Sequence, residues 1–274
     1  MDQLFRTVLM IFTVVACGAQ ATPSATAEKI RSTPVTIYPN FDLRDTAMVA
    51  IFNGFAREED ALVVSYVDAF KGSFRVADLG VTRGQVWIYV SSAANLGQTY
   101  RKNIEGARGL VYVPGKGMGA NLRYVAGQLA EEAKALRMPL IVGLNGRDTW
   151  SLSNVAEITR NGDMITICAS RELRGPAPAF RTHVEKIIRV ARETNPAIKV
   201  ELALIAIRAK AERAPMLKHA VDNIDLADRI AIYCDQDAES LESLKALLAG
   251  LRPEGALASV VDPVTAPAAS DAFQ

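Results

Sequence analysis

The chain has 274 residues, half of them hydrophobic, and 31 Lys/Arg stand against 30 Asp/Glu for a formal net charge of +1. That is enough apolar material for one large core. No Lys/Arg stretch is dense enough to track a phosphate backbone, which excludes a nucleic-acid partner.

Residues 1–17 read as an export signal. Arg6 gives a weak positive flank, and Thr7–Ala16 is a ten-residue apolar run, too short to span a membrane but suited to a signal core. Two processing sites compete. Val14-Val15-Ala16-Cys17 has the form of a lipobox, which would place a lipid on Cys17 and make the membrane a partner. Ala19-Gln20-Ala21 offers ordinary cleavage. Either way the chain is expected to be exported, as an envelope lipoprotein or as a secreted or periplasmic protein. Residues 18–33, rich in Ala, Thr and Ser, read as a flexible linker.

From there eight short apolar runs alternate with helix-length segments: Val35–Pro39, Ala61–Tyr66, Gln85–Ser91, Gly109–Pro114, Pro139–Asn145, Met164–Ala169, Val200–Ile207 and Arg229–Asp235. Eight strand–helix units close a parallel sheet, so residues 34–252 are expected to form a single-domain (β/α)8 barrel of TIM type, with its site at the C-terminal ends of the strands. Between the runs, Leu43–Phe55 reads as a helix, because too few residues separate Val49–Phe52 from Ala61 for a parallel crossover. Its shared face would carry Leu43, Ala47, Ala50, Ile51 and Phe55.

The second crossover, Asp68–Val81, is short and carries two glycines, which points to an irregular helix. Asn95–Ala107 reads as the third helix. Asn121–Leu136 is the clearest, with a stripe of Leu122, Val125, Leu129, Ala133 and Leu136 stopped before Pro139. Ser151–Thr159, Pro178–Thr194, Pro215–Leu226 and Glu239–Leu251 complete the set. The tail 253–274, rich in Ala, Pro and Ser, has no period and reads as disordered.

Successive strand residues face opposite sides, and branched apolar residues suit the helix-facing side of a barrel strand. That rule sends Tyr38, Trp87, Tyr89, Tyr112, Thr166, Cys168 and Tyr233 inward, with Asn40, Asn145, Glu172 and Asp235 near the rim. The aromatic residues either contact a ligand or simply fill the barrel. Cys168 and Cys234 lie on the sixth and eighth strands, roughly 9–10 Å apart at ordinary strand spacing, so two free thiols are expected.

Glu172 and Asp235 end separate strands beside aromatic rings. Such a pair suits glycoside hydrolysis, with Glu172 as general acid and Asp235 as nucleophile or base. Arg171 could instead neutralise Glu172, and Asp68 and Asp148 are reserve carboxylates, the latter also suited to capping a helix. A Gly-rich turn after the fourth strand, Pro114 to Gly119, could expose N–H groups to an anion beside Lys116. With Arg147, Arg171, Arg208 and Lys210 it makes the mouth partly basic.

The turn has neither the Gly-Lys-Ser/Thr ending of a nucleotide loop nor dinucleotide spacing, and no cofactor is expected. His183 and His219 fall in outer helices, no zinc spacing occurs, and Asp235-Gln236-Asp237 is a weak cation signal, so no metal is expected.

Cys168-Ala-Ser-Arg-Glu-Leu173, Pro176–Phe180 and Ala191-Arg-Glu-Thr-Asn-Pro196 together resemble a group of uncharacterised exported bacterial (β/α)8-barrel proteins. In that group a strand ending Ala-x-Arg leads to a Pro-started helix closed by Ala-Arg-x-x-Asn-Pro. The resemblance implies the barrel and the exported address, and brings no catalytic residue with it.

Two functions stay open. One is a glycosidase-like barrel acting on cell-envelope carbohydrate, with Tyr38, Tyr89 and Tyr233 stacking on sugar rings. The other is a non-catalytic exported protein whose rim binds a small anionic ligand or an envelope partner. The polar and cationic rim set is Asn40, Tyr112, Lys116, Asn145, Arg147, Arg171 and Arg208.

Overall fold

The computed structural model describes residues 25–39, 46–65, 75–96, 101–114, 122–145, 152–168, 177–207 and 222–252. Eight parallel strands close in sequence order: β1 (Val35–Pro39), β2 (Ala61–Ser65), β3 (Gln85–Tyr89), β4 (Gly109–Tyr112), β5 (Leu140–Asn145), β6 (Met164–Cys168), β7 (Lys199–Ile207) and β8 (Arg229–Cys234). β8 returns to β1, with Tyr233 opposite Tyr38. The described helices are α1 (Ala25–Ser32), α2 (Thr46–Phe55), α3 (Leu122–Leu136), α4 (Leu152–Asn161), α5 (Ala177–Thr194) and α6 (Ala238–Leu251). Every apolar run read as a strand is one, and the barrel is a single domain.

The core has two concentric layers. Between strands and helices, Ile37, Leu62, Ile88, Leu110, Ile165, Leu202 and Ile230 meet Phe52, Leu129, Ile158, Ile187 and Leu244. Inside the barrel, Tyr38, Ala61, Val63, Trp87, Val111, Ile141, Met164, Ala203 and Ala231 form a second cluster. Strand alternation divides the two sets, as a sheet buried on both faces requires.

Three local expectations are corrected. In α2 the buried face is Met48, Val49 and Phe52, while Ala50 is exposed. The helix is apolar nearly all round, so its bulkiest residues rather than its alanines choose the inner side. Asn95–Ala107 is not one helix: a 3-10 turn covers Ala93–Leu96, and residues 101–106 are turns held by Val76 N–H to Asn103 C=O at 2.9 Å. In the expected linker, residues 25–32 form α1. Its end is docked, because Arg57 Nη1 donates to Arg31 C=O at 2.7 Å and Arg252 Nη2 to Thr33 C=O at 3.0 Å. Of the segment read as the helix Pro215–Leu226, only the last residues are described, and they hold a 3-10 turn at Ile224–Leu226.

The N-terminal end of the barrel repeats one device. An aspartate just before β2, β6 and β8 accepts the N–H of a residue at the start of the preceding strand. Asp60 takes Val35 N–H at 2.7 Å, Asp163 takes Leu140 N–H at 2.8 Å and Asp228 takes Val200 N–H at 2.9 Å. These donors would otherwise be unpaired at strand ends. Asp60, fully buried, also accepts Arg57 N–H at 2.7 Å and both terminal nitrogens of Arg252, tying β1, β2 and the end of α6 together.

β7 carries an irregularity. Ala203 lies opposite Ala231, but Ile205 lies opposite Ile232, so Leu204 is an extra residue in the ladder. Before it, Ala203 belongs to the inner cluster. After it, Ile205 and Ile207 belong to the outer layer, and the inward register passes to Ala206, opposite Tyr233.

Candidate functional site

Three rings that alternation sent inward are there. Tyr38 is buried and stacks on the half-buried Tyr233, with centroids 4.8 Å apart and planes at 27°. Tyr89 is half-buried and its hydroxyl donates to the Val113 carbonyl at 3.1 Å. All three belong to the C-terminal parts of their strands, the end where barrel sites form. Trp87 lies one layer deeper. It is buried, donates from Nε1 to Gln85 Oε1 at 3.0 Å and packs against Gly109, where a Cβ would meet the indole at 3.0 Å.

Tyr112 is a correction. Gly109 and Val111 face inward on β4, so Leu110 and Tyr112 face the helices, and Tyr112 belongs to the outer layer. The run Gly109 to Val113 is apolar in both phases, and alternation by residue type cannot set its facing; the glycine opposite Trp87 does. The Tyr112 hydroxyl is buried with no hydrogen-bond partner among the described residues, and burial pushes its pKa above the ordinary tyrosine value.

Asp235 is half-buried just past β8, and its N–H donates to Ile207 C=O at 3.0 Å. Asp237 caps α6: its carboxylate accepts Ser240 N–H at 3.0 Å and the Ser240 hydroxyl at 2.6 Å. The capping bonds hold Asp237 below the usual carboxylate range and give it a structural task. Asn145 ends β5 opposite Cys168, and no side-chain geometry is described for either. Asn40, Lys116, Arg147, Arg171, Glu172, Arg208 and the lipid-site candidate Cys17 lie outside the described residues, as do Asp68, Asp148, Lys210 and His219. Cys234 is buried and forms no disulfide among the described residues, and its thiol donates to the Asp235 carbonyl at 3.1 Å. Among the described residues no group of three His, Cys, Asp or Glu converges, and no helix is long and apolar enough to cross a membrane.

The main polar feature of the interior was not singled out from the sequence. Glu201, on β7, is fully buried inside the barrel. Its Oε1 accepts the Tyr38 and Thr166 hydroxyls, each at 2.8 Å, and its Oε2 accepts the Thr36 hydroxyl. Arg229, opposite on β8, brings its Nε to 3.6 Å of Oε2 and donates to Thr36 Oγ1 at 3.1 Å. Thr36 thus accepts from the arginine and donates to the carboxylate.

The guanidinium also lies 4.5 Å from the centre of the Trp87 ring and donates to the Glu59 carbonyl at 2.7 Å. Burial pulls the Arg229 pKa below its ordinary value, with Glu201 opposing that shift. The buried carboxylate is therefore matched in charge by Arg229 and accepts from three hydroxyl donors. The signal was present: Glu201 and Arg229 are isolated charges in two neighbouring apolar strands, and two such residues in one interior call for each other.

Outside the barrel, two shallow grooves of about 380 and 390 Å³ share Met138 near the end of α3. They lie by the N-terminal ends of β4 and β5, away from the aromatic mouth.

No family model and no curated protein matches the chain. Solved structures do. An archaeal fructose-1,6-bisphosphate aldolase, with its catalytic lysine bound to the carbinolamine intermediate, is 16% identical with a TM-score of 0.53 over 82% of this chain and 98% of that one. A protein assigned as a fructose-1,6-bisphosphate aldolase from Coccidioides immitis is 10% identical, with a TM-score of 0.52 over 85% of this chain and 94% of that one. One assigned as a deoxyribose-phosphate aldolase from Toxoplasma gondii is 12% identical, with a TM-score of 0.50 over 81% and 93%. At such identities the likeness is one of fold.

These neighbours correct the expectation of glycosidase-like action on envelope carbohydrate, since the similar barrels are aldolases. The roles in glycoside hydrolysis given to Glu172, as general acid, and Asp235, as nucleophile or base, go with that expectation.

Proposed function

We propose that this barrel acts on a small phosphorylated sugar at its C-terminal end, making or breaking a carbon–carbon bond by aldolase-type chemistry. The observation that carries the reading is the charge of the chain leaving β7. Segment 208–221 holds Arg208, Lys210, Arg213 and Lys218 against the single carboxylate Glu212. It follows directly on the last residue of β7. In a parallel barrel that end of the strands is where ligands bind, and a cationic strand exit suits an anionic one. The reaction class is borrowed from the aldolase barrels whose fold this chain shares.

A lysine-dependent aldolase needs an amine that attacks the substrate carbonyl and expels water to give an iminium. A base then removes the proton of the hydroxyl two carbons from the iminium carbon. The carbon bearing that hydroxyl leaves as the aldehyde, and the carbon–carbon bonding pair moves into the iminium to give an enamine, which is then protonated and hydrolysed to free the amine. Among the described residues no lysine faces the interior: Lys199, at the start of β7, is exposed. Lys71, Lys116 and Lys210 follow β2, β4 and β7 in the sequence and are the candidates.

The test combines fructose 1,6-bisphosphate and 2-deoxyribose 5-phosphate with borohydride trapping and peptide mass spectrometry. Aldehyde release from one of them, none from the unphosphorylated sugar, and a reduced adduct on one of the three lysines are expected. Absence of both cleavage and stabilisation by either compound overturns the proposal.

The address belongs to the same proposal: export, with Cys17 lipidated or with cleavage after Ala21. Intact mass of the protein recovered from a bacterial envelope fraction checks it, and a chain still starting at Met1 would refute it.

A further inference from the structure

The Glu201 cluster has no place in that chemistry, yet it holds a ring of the mouth. Tyr38 belongs to the C-terminal part of β1, while Glu201 is the third of the nine residues of β7. Its hydroxyl lies 2.8 Å from Glu201 Oε1, so the Tyr38 side chain reaches from the C-terminal part of β1 to a residue in the N-terminal part of β7. Tyr233, the last inward-facing residue of β8, stacks on the ring held there. Thr36 and Thr166 also donate to Glu201 and Arg229 is its ion-pair partner at 3.6 Å, so the acceptor cannot turn without breaking several contacts at once. Val63, Trp87 and Ala231 fill the surrounding interior, and none of them offers Tyr38 an alternative acceptor.

We propose that Glu201 is a positioning residue: it fixes the tilt of Tyr38 and thereby the Tyr38–Tyr233 stack that forms the floor of the C-terminal mouth. A ligand resting on that floor meets a surface whose height is set from inside the barrel. This rests on the reading that the mouth is the ligand site, but the geometry of the stack can be tested without any ligand.

The experiment uses the full-length protein, with the unaltered chain as reference, and combines each Glu201 substitution with Arg229→Met so that neither double variant leaves a buried charge unpaired. Glu201→Leu removes the acceptor. Glu201→Gln keeps a carbonyl oxygen where Tyr38 needs one and is the conservative rescue. Near-ultraviolet circular dichroism reads the stacked tyrosine pair, and titration calorimetry with fructose 1,6-bisphosphate and inorganic phosphate reads the mouth.

Glu201→Leu should lose the near-ultraviolet tyrosine signal with unchanged far-ultraviolet spectrum and weaken binding about three- to ten-fold, the equivalent of one aromatic stacking contact. Glu201→Gln should restore both. Should Glu201→Leu fail to fold, Tyr38→Phe in the otherwise unaltered chain cuts the same bond from the other side and must give the same loss of affinity, the near-ultraviolet signal being set aside for this variant because the substitution replaces the chromophore. If these variants change only the melting temperature, with signal and affinity retained, Glu201 is merely structural and the inference fails. If the unaltered protein binds neither probe, the functional reading falls, while the spectral comparison still decides this one.

Discussion

Asp60→Ala tests the closure of the barrel's N-terminal end. In the folded protein the carboxylate is fully buried, accepts two backbone N–H groups at 2.7 Å each and faces the Arg252 guanidinium, whose side chain is 3% exposed. Truncation leaves Arg252 as a buried charge with only the Thr33 carbonyl and the Phe55 ring, 4.8 Å away, for company. Removing one partner of such a pair costs about 3–5 kcal/mol, and each orphaned N–H adds about 1 kcal/mol or more where water cannot reach it. Together these make a loss of about 5–7 kcal/mol, a large part of a total near 5–15 kcal/mol.

For a domain of this size that loss lowers Tm by about 10–28 °C. Urea denaturation followed by far-ultraviolet circular dichroism measures it. Arg252→Met and the double variant close a thermodynamic cycle. The double variant should be clearly more stable than the sum of the singles predicts, because it leaves no unpaired charge. A loss under about 1 kcal/mol for Asp60→Ala, or strict additivity, would refute the electrostatic account.

Three further outcomes are expected. Arg229→Met alone should cost about 3–5 kcal/mol by stranding Glu201, and adding Glu201→Gln should recover part of it; chemical denaturation of the two variants compares them directly. Gly84→Ala should cost at least about 2 kcal/mol by thermal melting. Gly84 has φ +73°, and a Cβ there would lie 2.8 Å from both the Asp60 carbonyl and the Phe52 ring. Asp237→Ala should cost about 1 kcal/mol through loss of the α6 cap. Because folding lowers the Asp237 pKa, the cap contributes fully above the unfolded value of about 3.9 and is lost as pH falls through the depressed folded one. A pH series of melting curves on Asp237→Asn, which caps without titrating, should flatten that dependence.

The architecture was legible because a strand buried on both faces has to be written as an apolar run, and eight such runs at crossover spacing leave few alternatives. Facing was legible wherever one phase of a strand was markedly bulkier. In β8, Ile230 and Ile232 against Ala231 and Tyr233 divide cleanly between the two layers. The rule failed on β4, where both phases are apolar and the decisive cue was a contact with Trp87 on the neighbouring strand. It overlooked Glu201 because a residue-by-residue facing rule asks where a side chain points and never what a buried charge must find there. Register supplies the missing half: Glu201 is opposite both Thr166 and Arg229. The docking of α1 was hidden for a similar reason, since its partners Arg57 and Arg252 are distant in sequence.

The extra residue in β7 acts as a change of phase. Were the strand to keep one alternation throughout, Ile205 and Ile207 would continue the inward series begun by Glu201 and Ala203, and two branched side chains would occupy the lumen beside Tyr233. With Leu204 inserted, that sector is given to the single methyl of Ala206. Lumen capacity in this sector therefore rests on one small side chain. Deleting Leu204 would remove the irregularity yet leave Ile205 opposite Ile232 and Ala206 opposite Tyr233, so the facing of the strand's end would survive. A single Ala206→Ile, by contrast, would narrow the passage while leaving the hydrogen-bonded closure of the barrel intact.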